Sequence, residues 1–574
     1  MTRILAALGL CLFFVGLVAC GGGSSTPPPP TPTPTPTPAA LTVSPSTVKV
    51  ALGKTQQFSA TGPAVPVNWS VNGVAGGNST VGTIDVSGFY TAPLNFPSPN
   101  TFNVTATSQA DPTKTANSAL SVVYPNKNNT TQTLPIKLGS IGGNALDVTA
   151  PGDPNPGCCI GTLGSLIQRG TTLFILSNNH VLARSEVASL GEAIDQPGPN
   201  ACFTVSNAVA TLSAKAALKP TTSAPCVQPT TTTTCGPAPS NVDAAIAQTS
   251  IASTDAAGTI LELGAATSTD IGDAPPSATL ATASIGLGVA KSGRTTGLTC
   301  STIESISGRF AVDYDSVCGA ATAAFQAQFS NQISVTGGTF IEPGDSGSLL
   351  VTSAQARPVG LLYAGSPDPG GSAIANPIQD VLNVFSTTTA TATIVGGADH
   401  AVSCQPTLAI ANSKQTGAAS ALTPQQRENA TAARNRNAVM LMSDPAVKAV
   451  TVGASADNPQ EGAVLVELSA APQKPIPATV DGVRTRVVYP AGAAIDLGIS
   501  STVVANTIKI KDAHENSFMG HVGIRGIAVG RSNDNPADPA IIIYTTTGMA
   551  HPPIPAVIDG VRTRVIEGKP FRAY

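Results

Sequence analysis

Charge is scarce in this chain. Asp, Glu, Lys and Arg make up 11% of the 574 residues and sum to a net charge of −3. Ordinary soluble domains carry about 25%. So sparse and balanced a charge excludes electrostatic capture of nucleic acid or of an anionic membrane face. Histidine is scarcer still, with five in all and only His180 before His400. None accompanies the cysteines at zinc-site spacing, so neither a metal nor another cofactor is expected. Tryptophan occurs once, at Trp69. What abounds instead is Gly, Pro, Ser, Thr and Ala, which predicts few helices and a mainly β chain with long polar loops. A length of 574 residues predicts about four domains.

Three short strings stand out against this background. They are Ser177-Asn178-Asn179-His180-Val181-Leu182, Asn241-Val242-Asp243-Ala244-Ala245-Ile246 and Pro343-Gly344-Asp345-Ser346-Gly347-Ser348. The β-prone run Thr172 to Ile175 places His180 just past a strand end, and apolar neighbours bury Asp243. A buried carboxylate needs a partner, which an imidazole Nδ1–H supplies. A serine hydroxyl is a poor nucleophile until an imidazole can take its proton, and a carboxylate orients that imidazole and stabilises its cation. His180 is thus the candidate base, Asp243 the orienting group and Ser346 the nucleophile. Asp195, Asp270, Asp273 and Asp313 are rivals to Asp243 in more polar or turn-like settings. The glycines at 344 and 347 permit a tight turn that aims the N–H groups of Gly344 and Ser346 at a developing oxyanion.

In the order His, Asp, Ser, these strings resemble the chymotrypsin-like serine peptidases, in particular their bacterial trypsin-like branch. The likeness spans roughly residues 125 to 400. Lys291-Ser292-Gly293-Arg294-Thr295-Thr296-Gly297-Leu298-Thr299 looks like a family turn of the second barrel, and Pro358 to Tyr363 like the strand that follows the nucleophile and lines a substrate pocket. The resemblance implies a two-barrel fold, a polypeptide substrate and acyl-enzyme chemistry. Two positions depart from the family. A long N-terminal region precedes the domain, so Asp345, which pairs with a freed N-terminal amine in the secreted animal members, must be satisfied by another group or await processing. Phe340, with Glu342 nearby, stands where members that cut after basic residues carry an acid, so Arg/Lys specificity is not expected. The chain order also argues against an esterase, in which Ser precedes Asp and His.

The flanks predict export. Arg3, an apolar run from Ile4 to Val18 and Leu17-Val18-Ala19-Cys20 read as a signal ending in a lipobox-like string, too short to span a membrane. By resemblance to bacterial lipoproteins, Cys20 is the lipidation site and the protein sits in the cell envelope, at the outer membrane or surface. Ser24 to Ala40, rich in Pro and Thr, is a semi-rigid extended stalk. Setting aside Cys11 and Cys20 leaves eight cysteines, an even number that suggests disulfides in an oxidising compartment. The favoured local pairs are Cys226 with Cys235 and Cys300 with Cys318.

The expected organisation is a signal peptide (1–20), a linker (21–40), a β-sandwich (41–124), the protease-like domain (125–400), a linker and helix (401–446) and a repeated α+β domain (447–574). Short period-two strands build the sandwich, with Trp69 in its core. Val67-Asn68-Trp69-Ser70-Val71-Asn72-Gly73 and the later Ser87 to Pro93, with Gly88 at a turn, resemble bacterial Ig-like domains of surface proteins, which implies a spacer or a binder. Thr423-Pro424-Gln425-Gln426 starts a helix with a capping box. In the last domain Pro475 to Val488 recurs as Pro553 to Ile566, and Val452 to Pro459 as Val529 to Pro536. Its alternating Val and Arg, at Arg484, Arg486, Arg562 and Arg564, reads as solvated strand faces in preference to an anion site. Together these features predict an exported, lipid-anchored serine endopeptidase. The alternative is an inactive, protease-like surface protein that binds through its Ig-like domain. The joint Ser413 to Ala421 raises self-processing as a possibility, and oligomeric state is left open.

Overall fold

The structure is a computed structural model. It describes residues 40–62, 65–149, 159–221, 240, 242–315, 323–337, 340–368, 371–404, 422–489 and 498–573. The lipobox with Cys20, the Pro/Thr stalk, Cys226, Cys235, Cys318 and the Ser413 to Ala421 joint lie outside the described residues. Among the described residues no helix is long and apolar enough to cross a membrane.

The chain is mainly β, as the composition predicts. At the N-terminal end one sheet carries Val67–Val71, Thr101–Ser108 and Thr115–Val123 as antiparallel neighbours. A second joins Thr55–Gln57, Phe89–Thr91 and Gly82–Ile84. Trp69, Phe58 and Tyr90 meet in a core that both sheets share. Gly88 explains the turn there: at φ +84° an added Cβ would lie 3.0 Å from the Trp69 ring and collide with the Phe58 carbonyl.

Two larger sheets follow. The first has eight strands and rolls up, since Gly164 at the end of Gly161–Leu163 donates to Leu176 O in Thr172–Ser177 at 3.0 Å. In the second, Gly288–Gly293, Leu349–Thr352, Pro358–Gly365, Ala373–Pro377, Phe325–Val335 and Gly297–Tyr314 pair in that order. The last then pairs with the first, closing a six-stranded barrel. Closure leaves this part of the sheet without bare edges. Gly297–Tyr314 is 18 residues long and outruns the barrel. Its far half pairs with Ile524–Arg531, so the second C-terminal copy extends the same sheet, while the first forms a four-stranded sheet of its own.

That length corrects one cysteine pairing. Cys300 lies near the start of this strand, whose described end at Tyr314 points away from it. Cys300 is bonded to Cys404 instead, with Cα atoms 5.7 Å apart. Cys159 and Cys202 are also in disulfides.

The C-terminal copies each hold a helix, an antiparallel pair and a third strand parallel to it. Pro424–Leu441 opens with the capping box between Thr423 and Gln426 and packs on the first copy through Ala433 and Leu441. Ser501–Met519 serves the second. The copies clasp each other by exchange. Asp534 accepts from Ser455 Oγ and Ala456 N, while Asp457 accepts from Ser532 Oγ and Asn533 N, all at 2.6 Å. Burial, and then the neighbouring Asp534 charge, pushes Asp457 up to about 6. The arginines are not the solvated faces that alternation suggested. Arg484 and Arg562 are buried, the first donating to Thr563 O at 2.6 Å and the second to Thr485 O at 2.8 Å. Each fork satisfies the partner copy's backbone, which is why charge survives burial here.

Candidate active site

The predicted histidine sits where the strand Thr172–Ser177 turns into the short helix Asn179–Leu182. Asp243 comes in just ahead of the neighbouring strand Ala245–Thr249, which pairs with Thr172–Ser177 through Ala245 opposite Ser177. That register puts the two side chains together, His180 Nδ1 lying 2.6 Å from Asp243 Oδ2. Asp243 is fully buried, and the His180 side chain is 10% exposed.

A buried carboxylate is costly unless its lone pairs are taken up. Here Asn179 N donates to Asp243 Oδ1 at 2.7 Å and the Tyr314 hydroxyl to Oδ2 at 2.8 Å. The backbone is fixed too, as Asp243 N donates to Asn376 Oδ1 at 3.0 Å and Asn178 Nδ2 to Asp243 O at 2.8 Å. With acceptors only on the carboxylate, Nδ1 of a neutral His180 must carry the hydrogen and Nε2 the lone pair. Of the rival aspartates, Asp270 and Asp273 are taken by Lys127, Asp313 accepts from Gln326, and Asp195 is coupled to Ser206.

Tyr314 was not singled out in the sequence. It lies 71 residues after Asp243, at the end of the strand that outruns the barrel. Burial, and then the Asp243 charge, raise its phenol well above the usual range, so it stays a donor. A hydrogen bond to a charged group is worth about 1.5–3 kcal/mol. Tyr314→Phe should therefore slow any chemistry that depends on the His180–Asp243 pair by about tenfold or more, with KM unchanged. Equal kcat in the two proteins would reduce the phenol to packing.

Ser346 lies on the turn between Phe340 and Leu349. Gly344 and Gly347 have φ of +98° and +93°, as a tight turn there requires. A side chain at Gly347 would strike Ser177 and Thr162, and one at Gly344 would strike the Arg294 guanidinium. Thr162 stitches the turn to the first sheet, its N–H donating to Ser346 O at 2.8 Å and its hydroxyl to Gly344 O at 2.9 Å. Gly161, one residue earlier, has Val181 on one side and the Ser346 carbonyl on the other, 2.5 and 3.0 Å from where a Cβ would be. The segment after His180 and the Ser346 turn thus meet over Gly161. The Ser346 hydroxyl donates to Tyr363 O at 3.1 Å, and the residue is fully buried. Among the described residues, the N–H groups of Gly344 and Ser346 have no acceptor.

Asp345 is satisfied internally. Lys291, equally buried, lies 3.1 Å from its Oδ2, and Thr295 N, Thr296 N and Thr296 Oγ1 donate to it at 2.9, 3.1 and 2.7 Å. Burial lowers the Lys291 ammonium, and the Asp345 charge opposes that. Residues of the turn Lys291 to Thr299 therefore satisfy Asp345, a partnership its sequence did not disclose. Arg294 of the same turn lies against Gly344 with its Nε buried and unpartnered among the described residues. Asp147, also unforeseen, is pushed up to about 7 by burial, against the charges of Arg184 and His180. Phe340 is buried in the second barrel and Glu342 is exposed. Among the described residues no cluster of three potential metal ligands occurs.

The glycine turn that carries Ser346 and the segment that follows the buried His180–Asp243 pair thus lie on either side of Gly161. No protein-family model matches the chain, and no curated protein does. Solved structures similar to part of it are bacterial serine proteases. A glutamic-acid-specific serine protease is 17% identical, with 45% of this chain and 100% of that one covered at a TM-score of 0.28. Protease A of Thermobifida fusca is 18% identical over 42% of this chain and 94% of its own, TM-score 0.27. The Nocardiopsis protease is 18% identical over 44% and 97%, TM-score 0.27. Overlap at this level assigns no residue of this chain a role.

Proposed function

We propose that this chain is an exported, membrane-anchored serine endopeptidase that hydrolyses peptide bonds through His180, Asp243 and Ser346. The observation that carries the reading is the 2.6 Å bond from His180 Nδ1 to a buried, multiply held Asp243 carboxylate, in a site that also holds the Ser346 turn. Ser346 Oγ swings from Tyr363 O toward His180 Nε2, gives up its proton and attacks the scissile carbonyl carbon. Asp243 stabilises the resulting imidazolium. The carbonyl oxygen, now negative, takes the N–H groups of Gly344 and Ser346, with the Arg294 cation close by. The tetrahedral adduct collapses as His180 returns its proton to the leaving amine, which leaves an acyl ester on Ser346. Water, deprotonated by His180, attacks that ester and restores the serine.

Export and the lipid anchor at Cys20 are the part of this reading that rests on sequence alone, and the disulfides accord with it. Residues 41–124 serve in it as an Ig-like spacer above the stalk. A small fluorophosphonate probe tests the chemistry. It should label Ser346, located by peptide mass, in the wild-type protein and not in His180→Ala. No adduct in either would leave the inactive binding protein as the better account.

A further inference from the structure

The strand Pro358–Gly365 has two edges. Along one it pairs with Ala373–Pro377, including Ala364 opposite Ile374 and Gly365 opposite Ala373. Along the other it takes Leu349–Thr352, with Leu349 opposite Leu361. That partner then peels away, Gly347 N reaching Leu362 O at 2.9 Å and Ser346 Oγ reaching Tyr363 O at 3.1 Å. At the very next residue another segment takes up the vacated edge. Phe571–Ala573 pairs antiparallel there, Ala573 opposite Ala364 and Arg572 opposite Gly365. The direction matters. Passing from Gly365 to Ala364, the segment runs toward Tyr363, and so toward the Ser346 hydroxyl that Tyr363 holds.

The segment is firmly seated. It also pairs in parallel with Val312 and Asp313, just before Tyr314, and so lies between the strand that holds Asp243 and the strand that holds Ser346. Phe571 is fully buried against Phe310 at 5.3 Å, with Arg525 4.2 Å over its ring. Arg572 is 3.5 Å from Asp315. Ser346 beneath is wholly buried.

We infer that Phe571–Ala573 is a built-in competitor, holding in cis the Ala364–Gly365 edge along which, on the endopeptidase reading, an extended peptide substrate would add as a strand. The inference rests on the endopeptidase reading above. Strand addition recognises a ligand mainly through its backbone, so the substrate class is unfolded or extended polypeptide of broad sequence. Asp315 adds a preference for a basic side chain at the place held by Arg572.

Ala573→Pro tests this, because it removes a backbone donor and obstructs strand pairing while leaving buried Phe571 in place. A tethered strand acts at high effective concentration, so releasing it should raise kcat/KM for an extended peptide substrate by about 100-fold. A synthetic peptide spanning Lys569 to Ala573 should then inhibit the variant by raising KM without lowering kcat. The small fluorophosphonate probe, applied to both full-length proteins, keeps the two readings apart. Labelling of both with equal peptide turnover, or inhibition that is not competitive, overturns the inference alone. Labelling of neither overturns the endopeptidase reading and this inference with it.

Discussion

Ser346→Ala should lower kcat for peptide hydrolysis by about 10^5- to 10^6-fold, and His180→Ala by nearly as much. The double variant should be no worse than either single one. Each residue is useless without the other, because the hydroxyl needs a base and the base needs a proton to take. The residual rate belongs to the oxyanion donors and to substrate positioning. Asp243→Asn should cost about 10^4-fold, since an amide can stabilise no imidazolium and invites the wrong tautomer. These comparisons belong on the Ala573→Pro background, where the strand edge is open to peptide. KM should hardly move in any of them. A Ser346→Ala protein that retained a hundredth of the activity would place the nucleophile elsewhere.

Lys291→Met should be the most damaging change that touches no reacting atom. It strips the only cation bonded to Asp345 among the described residues and leaves a fully buried carboxylate with neutral donors there. Breaking a buried pair from one side costs about 3–5 kcal/mol. The loss falls on the turn that carries Gly344 and Ser346, so activity should fall together with stability. Lys291→Met combined with Asp345→Asn should recover part of the stability, because no charge is then stranded. Tryptophan fluorescence is the wrong probe, as Trp69 reports only on the N-terminal sandwich. Hydrogen exchange along Gly297–Tyr314 is the right one, with faster exchange expected in the single variant. Unchanged exchange there would mean that the ammonium is dispensable.

The parts of this molecule that were legible in the sequence are those written locally. The strings around His180 and Asp243 stand out by residue type and flanking hydrophobicity, and the structure does bring those two side chains together; the Thr423 cap and the duplicated Pro475 to Val488 are short-range signals of the same kind. Partnerships across long separations were not legible. Tyr314 reaches Asp243 because an 18-residue strand runs past its barrel, and no local pattern encodes that register. Cys300 finds Cys404 across 104 residues for the same reason. The helix Ser501–Met519 hid behind its β-branched residues, Thr502, Val503, Val504, Thr507, Ile508 and Ile510, whose helix propensity is low, and packing against the second copy overrides it. Arg484 and Arg562 misled because alternation with valine signals a strand with one wet face, and here the second face meets the other copy.

The strand Gly297–Tyr314 also has a history in time. Its outer half pairs with Ile524–Arg531, which follows it by about two hundred residues, a separation that makes the contact slow to form. In a chain emerging from its N-terminus, the barrel can close while that outer half, from Ser305 to Phe310, still shows a bare edge of unpaired backbone groups. Such an edge is a template for any other extended chain. For that interval the molecule is at its most adhesive and the Ala364–Gly365 edge stands open. The repeats thus end two exposures together, shielding the newborn protein from its neighbours in the same closure that shields its neighbours from it.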